Sequence, residues 1–200
     1  MPGHRLMKKL IYVMSLLTLL VAGCTTVPPA DRRVAEKAQI TELAASIRAL
    51  GPEVDPEEAE RAARIAYSHT HELAIQYQIT DPPLIHNTKV NMGLRPRGLC
   101  WHWAEDIENR LKQENFQTLD LHRAIANSDN PFRIEHSTAI VSRKGDSMFD
   151  GIVLDPWRKG GILHWTPTRT DTDYNWLPRQ QVFEAKRERL RARQRLSTQG

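Results

Sequence analysis

Cysteine is nearly absent from this 200-residue chain, which has only Cys24 and Cys100. At most one disulfide can form, so a packed core has to carry the fold. No glycine-rich phosphate loop is present and no segment repeats. His69 and His71 lie two apart on a helical stretch and point to different faces, which makes them poor joint metal ligands. No other His, Cys and carboxylate cluster has metal spacing, so neither a metal nor another cofactor is expected. The apolar run Leu10–Ala22 is too short to cross a bilayer, which takes roughly 20 residues. Acidic excess is lacking too. The net charge is +4, and much of the basic excess sits in the helix-permissive stretch Glu184–Arg195. Such a segment suits anionic lipid or acidic cell-wall polymers, or forms a solvated terminal helix.

The start of the chain is basic at His4, Arg5, Lys8 and Lys9. The short apolar run follows, and the small residues Ala22 and Gly23 precede Cys24. This pattern reads as a secretory signal peptide. Val21-Ala22-Gly23-Cys24 resembles the bacterial lipobox, in which the cysteine is acylated and becomes the new first residue. The resemblance implies a signal peptide over 1–23, lipid on Cys24 and the membrane as a partner. Thr25 and Thr26 follow where an acidic residue would signal inner-membrane retention, which implies the outer membrane, facing the periplasm. Nucleic acid is not expected as a partner there. With Cys24 lipidated, Cys100 is the one remaining thiol, and a lone thiol in an oxidising compartment is either buried or functional.

Residues 24–33 read as a polar tether, 34–180 as one domain and 181–200 as a basic helix or tail. Within the domain, a helical part covers 34–80 and a core covers 98–166. Ile40, Leu43, Ala44 and Ile47 share one face of a first helix, about Val34 to Leu50. A second helix starts at Asp55-Pro56-Glu57-Glu58, with Asp55 as cap, Pro56 in the first turn and Glu58 three residues after the cap, and runs to about Tyr77. A loop, Pro82 to Gly98, leads to a third helix over about Leu99–Lys112. Strands are expected at Leu119–Ile125, Ile134–Val141, Met148–Asp155 and Gly160–Trp165. Helices first and strands later give an α+β domain in which a cysteine-bearing helix packs on an antiparallel sheet.

Cys100 falls where a turn becomes a helix, in RPRGLCWHWAEDI. A helix start favours thiolate, and Arg95 and Arg97 lie close in sequence. Gly98 permits a tight turn, and the first helical N–H groups can hold an oxyanion. His136 and Asp155 are the candidate base and orienting group. If Gly145-Asp146 is a two-residue hairpin turn, Ile140 faces Gly151, Thr138 faces Val153 and His136 faces Asp155. That register also puts Phe149, Val153, Thr138 and Ile140 on the His–Asp face, with the Cys100 helix packed over it.

Gly98-Leu99-Cys100-Trp101, the strand with His136 and the ending Val153-Leu154-Asp155-Pro156 together resemble the transglutaminase-like branch of the papain-type cysteine proteinases. The likeness covers about Gly98 to Trp157. It implies Cys100 as nucleophile, His136 as base and acid, and Asp155 as orienter. Asn87 or Asn91 is the candidate oxyanion donor, and Trp101 and Trp157 adjoin the expected substrate cleft. The implied activity is hydrolysis or acyl transfer at amide bonds of peptides, proteins or peptidoglycan stem peptides. The alternative is a non-catalytic binding or structural envelope lipoprotein on the same fold.

Overall fold

The computed structural model describes residues 37–197. The expected signal peptide, Cys24 and the tether lie outside the described residues. Helix α1 (Lys37–Arg48) packs on α2 (Pro56–Gln76), and α1 buries Leu43 and Ile47. Asp55 caps α2 as its sequence implies, with Oδ1 accepting from the amides of Glu57 and Glu58 at 2.8 and 2.9 Å. Glu58 does not close a capping box. Its carboxylate turns inward and accepts from the amides of Gln117 and Thr118 at 2.7 and 2.8 Å, which ties α2 to the start of the sheet.

The expected loop from Pro82 to Gly98 contains a helix, α3 (Pro83–Asn91). Pro83 sits at its first positions, where a missing N–H costs nothing. Helix α4 (Cys100–Lys112) follows, and Trp103, Ile107 and Leu111 form its buried stripe. Helix α5 (Arg179–Ser197) begins two residues before the expected basic segment and buries only Val182. Lys186 pairs with Glu135 at 2.6 Å, and from Arg187 onward the described part of α5 is fully exposed.

Five strands form one antiparallel sheet in the order β4-β3-β2-β1-β5. They are β1 (Leu119–Ala126), β2 (His136–Arg143), β3 (Ile152–Asp155), β4 (His164–Pro167) and β5 (Trp176–Pro178). The α+β class therefore holds. Three expectations about the sheet do not. The β2–β3 connection is not a two-residue hairpin but spans residues 144–151. Arg143 clamps Asp146 at 2.8 and 3.0 Å, and Met148–Asp150 makes a turn of 3-10 helix. Ile140 therefore pairs with Val153 rather than Gly151, a shift of two residues. An even shift keeps every side chain on its face, so His136 and Asp155 stay together as diagonal neighbours.

The second correction concerns which face the cysteine helix covers. Helix α4 packs with Ala139, Val141, Ile152 and Leu154, the face opposite to the one expected. Ile140 and Val153 lie on the other face, in a second cluster with Met148, Ala124 and Trp176. Phe149 is not on a strand at all but exposed in the 3-10 turn. Cys100 meets His136, the first residue of β2, at the end of that strand. The third correction is β5, a three-residue strand that pairs with β1 and brings Trp176 to the site. It was not expected from sequence.

Candidate active site

The turn before Cys100 is held by three ring nitrogens. Gly98 has φ +122°, a conformation side chains rarely adopt, and an added Cβ would lie 2.4 Å from His86 Nε2. His86, fully buried on α3, donates from that nitrogen to the Arg97 carbonyl at 2.9 Å. Trp103 Nε1 donates to the Gly98 carbonyl at 3.1 Å. His102 Nδ1 accepts from the amides of Gly98 and Leu99, both at 3.1 Å. That geometry requires a neutral ring. Burial, with Arg97 adding to it, lowers the His102 pKa to about 4. Since His102 takes the amides of residues 98 and 99, the N–H groups of Cys100 and Trp101 are the first of α4 with no helical carbonyl to bond.

Cys100 is a buried free thiol, and its Sγ donates to the Glu135 carbonyl at 3.6 Å. The next residue in the chain is His136. Its Nε2 donates to Asp155 Oδ2 at 2.6 Å, with both side chains almost wholly buried. Its Nδ1 is buried and has no hydrogen-bond partner among the described residues, which leaves that nitrogen for the neighbouring sulfur. Burial opposes a charge on His136. The Asp155 charge and hydrogen bond outweigh it, Cys100 adds to them, and the pKa rises to about 9. Burial likewise opposes ionisation of Asp155. His136 and then Arg158 outweigh it and hold Asp155 below the usual carboxylate range.

Both shifts bear on stability. The folded His136 pKa exceeds its unfolded value near 6.5, so its contribution is fully present below pH 6.5 and is lost as pH rises through about 9. Thermal melts from pH 5 to 10 are expected to show the midpoint falling across that window, and His136→Gln is expected to flatten the fall. A wild-type midpoint that holds constant from pH 6.5 to 9.5 would contradict the buried charged pair.

Three aromatic rings surround His136, and of these the sequence points to Trp157 alone. Trp157 lies 4.6 Å from the imidazole, ring centre to ring centre, and Tyr174 and Trp176 lie at 4.6 and 5.4 Å. Trp157 lines a cleft of about 660 Å³ that opens beside His136. Trp101 does not line it. Nearly half exposed, Trp101 lies tilted against His102 at the start of α4, with ring centres 3.8 Å apart. Asn87 Oδ1 accepts from Trp157 Nε1 at 3.0 Å, and its NH₂ group makes no hydrogen bond among the described residues. Asn91, one turn further along α3, is exposed, and no hydrogen bond among the described residues joins it to the site.

Arg158 has no counterpart in the sequence-level reading. It bonds Asp155 Oδ2 at 3.1 Å through Nε, and Asp171 at 2.6 Å through Nη2. Its only sequence signal is its place three residues after Asp155. Among the described residues no group of three or more His, Cys, Asp or Glu is placed to hold a metal ion. Comparisons with protein-family models, curated proteins and solved structures found no match to this chain.

Proposed function

We propose that the protein is a cysteine-dependent hydrolase or acyl transferase acting on amide bonds, of the transglutaminase-like kind, tethered at the bacterial outer membrane by lipid on Cys24. The observation that carries this reading is the His136 ring: Nε2 is committed to Asp155 at 2.6 Å, and Nδ1 is left beside Cys100. In the first half-reaction Cys100 Sγ, its proton on His136 Nδ1, attacks the substrate carbonyl and a C–S bond forms. The developing oxyanion is held by the Cys100 amide and the free NH₂ of Asn87, which Trp157 orients. Nδ1–H then gives its proton to the departing amine as the C–N bond breaks. Water or another amine attacks the thioester, with Nδ1 taking its proton, and the sulfur leaves.

Intact mass after exposure to a thiol-reactive peptide electrophile tests this. The folded protein is expected to gain one adduct, and Cys100→Ser none. Reaction only after unfolding would mark Cys100 as a structural thiol and return the protein to the binding-module alternative. The anchor has its own check. Cys24→Ser is expected to move the protein out of the detergent phase, and continued partitioning like the wild type would count against lipidation.

A further inference from the structure

The cleft beside His136 has a one-sided chemistry. The start of α3 forms one wall, where Leu84 and Ile85 are both about half exposed. Ile134, 60% exposed, faces the cleft from the segment that leads into β2, and Trp157 closes the floor. Large apolar side chains are left bare next to the candidate reacting atoms, and none of the described residues covers them. Besides His136, two arginines and no carboxylate line the cleft, and the arginines differ. Arg158 is largely buried and spent on Asp155, Asp171 and Asp173. Arg133 is exposed. It donates to the Asp173 carbonyl at 3.2 Å and lies over the Tyr174 ring at 5.7 Å, with no carboxylate within ion-pair distance among the described residues.

The position of the cleft indicates which half of a substrate it meets. It is lined by His136 but not by Cys100 or Trp101. A leaving amine has to reach His136 Nδ1 to be protonated, so the part of the substrate beyond the scissile bond lies on the His136 side. An incoming acceptor amine enters by the same route. We propose that this cleft is the amine-side subsite, and that it selects an amine component bearing a large apolar side chain followed by an acidic group. The apolar side chain packs between Ile85, Ile134 and Trp157, and the carboxylate pairs with Arg133. A basic component is disfavoured. This rests on the thiol-enzyme reading above.

The test separates the two. A small acyl thioester is used to load Cys100, and the acyl-enzyme is followed by intact mass while dipeptides are added as acceptors. In the step measured, the acceptor nitrogen bonds to the acyl carbon, the C–S bond breaks, and the amine proton passes through His136 to the sulfur. Leu-Glu is expected to release the acyl group, as N-acyl-Leu-Glu, about tenfold or more faster than Gly-Gly, the scale set by filling an apolar pocket. Lys-Lys should be no better than Gly-Gly. Ile134→Ser, at an exposed position, should reduce the advantage of Leu-Glu over Gly-Glu, and Arg133→Ser its advantage over Leu-Gln. Equal release by all dipeptides from an acyl-enzyme that forms normally would overturn the subsite and leave the thiol chemistry standing. Failure of any acyl-enzyme to form on folded protein would overturn both.

Discussion

Asp155→Asn is expected to slow acylation of Cys100 by about 10²–10⁴-fold, the range lost when general acid–base catalysis is removed, while the protein still folds. The amide fills the same volume, and Arg158 keeps its partners Asp171 and Asp173. What disappears is the charge that outweighs burial at His136. With it gone, burial acts on the imidazole nearly unopposed, so its pKa falls from about 9 to below the ordinary histidine value. The pH–rate profile carries a signature that a merely structural role would not produce. The limb belonging to His136 moves to lower pH in Asp155→Asn, whereas a variant that only loosened the sheet would lose rate at every pH alike. Acylation by a small thioester, measured from pH 5 to 10 on both proteins, reads this directly. A loss below tenfold with an unmoved profile would remove Asp155 from the site.

The legible part of this protein was the part written in local signals. Asp55-Pro56 marks the start of α2 because the cap and the proline act within one turn. Counting along two strands from an assumed hairpin sets His136 beside Asp155, and the two do meet although that hairpin is absent. The eight residues between β2 and β3 hold a turn of 3-10 helix that no short-range signal announces, and the register moved by two. Side-chain direction in a strand depends only on parity, so the pairing survived where a one-residue slip would have split it. Parity does not tell which face α4 covers, since that depends on Trp103, Ile107 and Leu111 meeting residues far along the chain, from Ala139 to Leu154. The same limit hid β5 and the ring nitrogens of His86, His102 and Trp103 around Gly98. A histidine that caps a turn and one that is solvated look alike in sequence.

Arg158→Met is expected to destabilise the protein by about 3–5 kcal/mol, the usual effect of removing one partner from a buried ionic cluster. Arg158 is 9% exposed, and its partners Asp155 and Asp171 are 1% and 2% exposed. Methionine fills much of the volume but leaves the Asp171 carboxylate without its cation and Asp155 with His136 alone. Among the described residues Asp171 keeps only the Trp176 indole N–H at 2.9 Å and the Asp173 amide at 3.2 Å. Urea unfolding should show a midpoint lower by about 2 M at neutral pH, taking a slope near 2 kcal/mol per M. The sign of the pH dependence follows from the carboxylates. For each, burial opposes ionisation, and charge and hydrogen-bonding partners, Arg158 among them, outweigh it. Both folded pKa values are thereby held below the unfolded value near 3.8, and that contribution is present above it and lost as pH falls through the folded values. The gap between wild type and Arg158→Met should therefore narrow in acid. Arg158→Met combined with Asp171→Asn should cost less than the sum of the two single changes, because the second removes a charge the first left stranded. Strict additivity, with a gap that does not change between pH 7 and pH 3, would show that Arg158 acts through its packing on the Tyr174 ring, 4.7 Å away, and not through its two carboxylate partners.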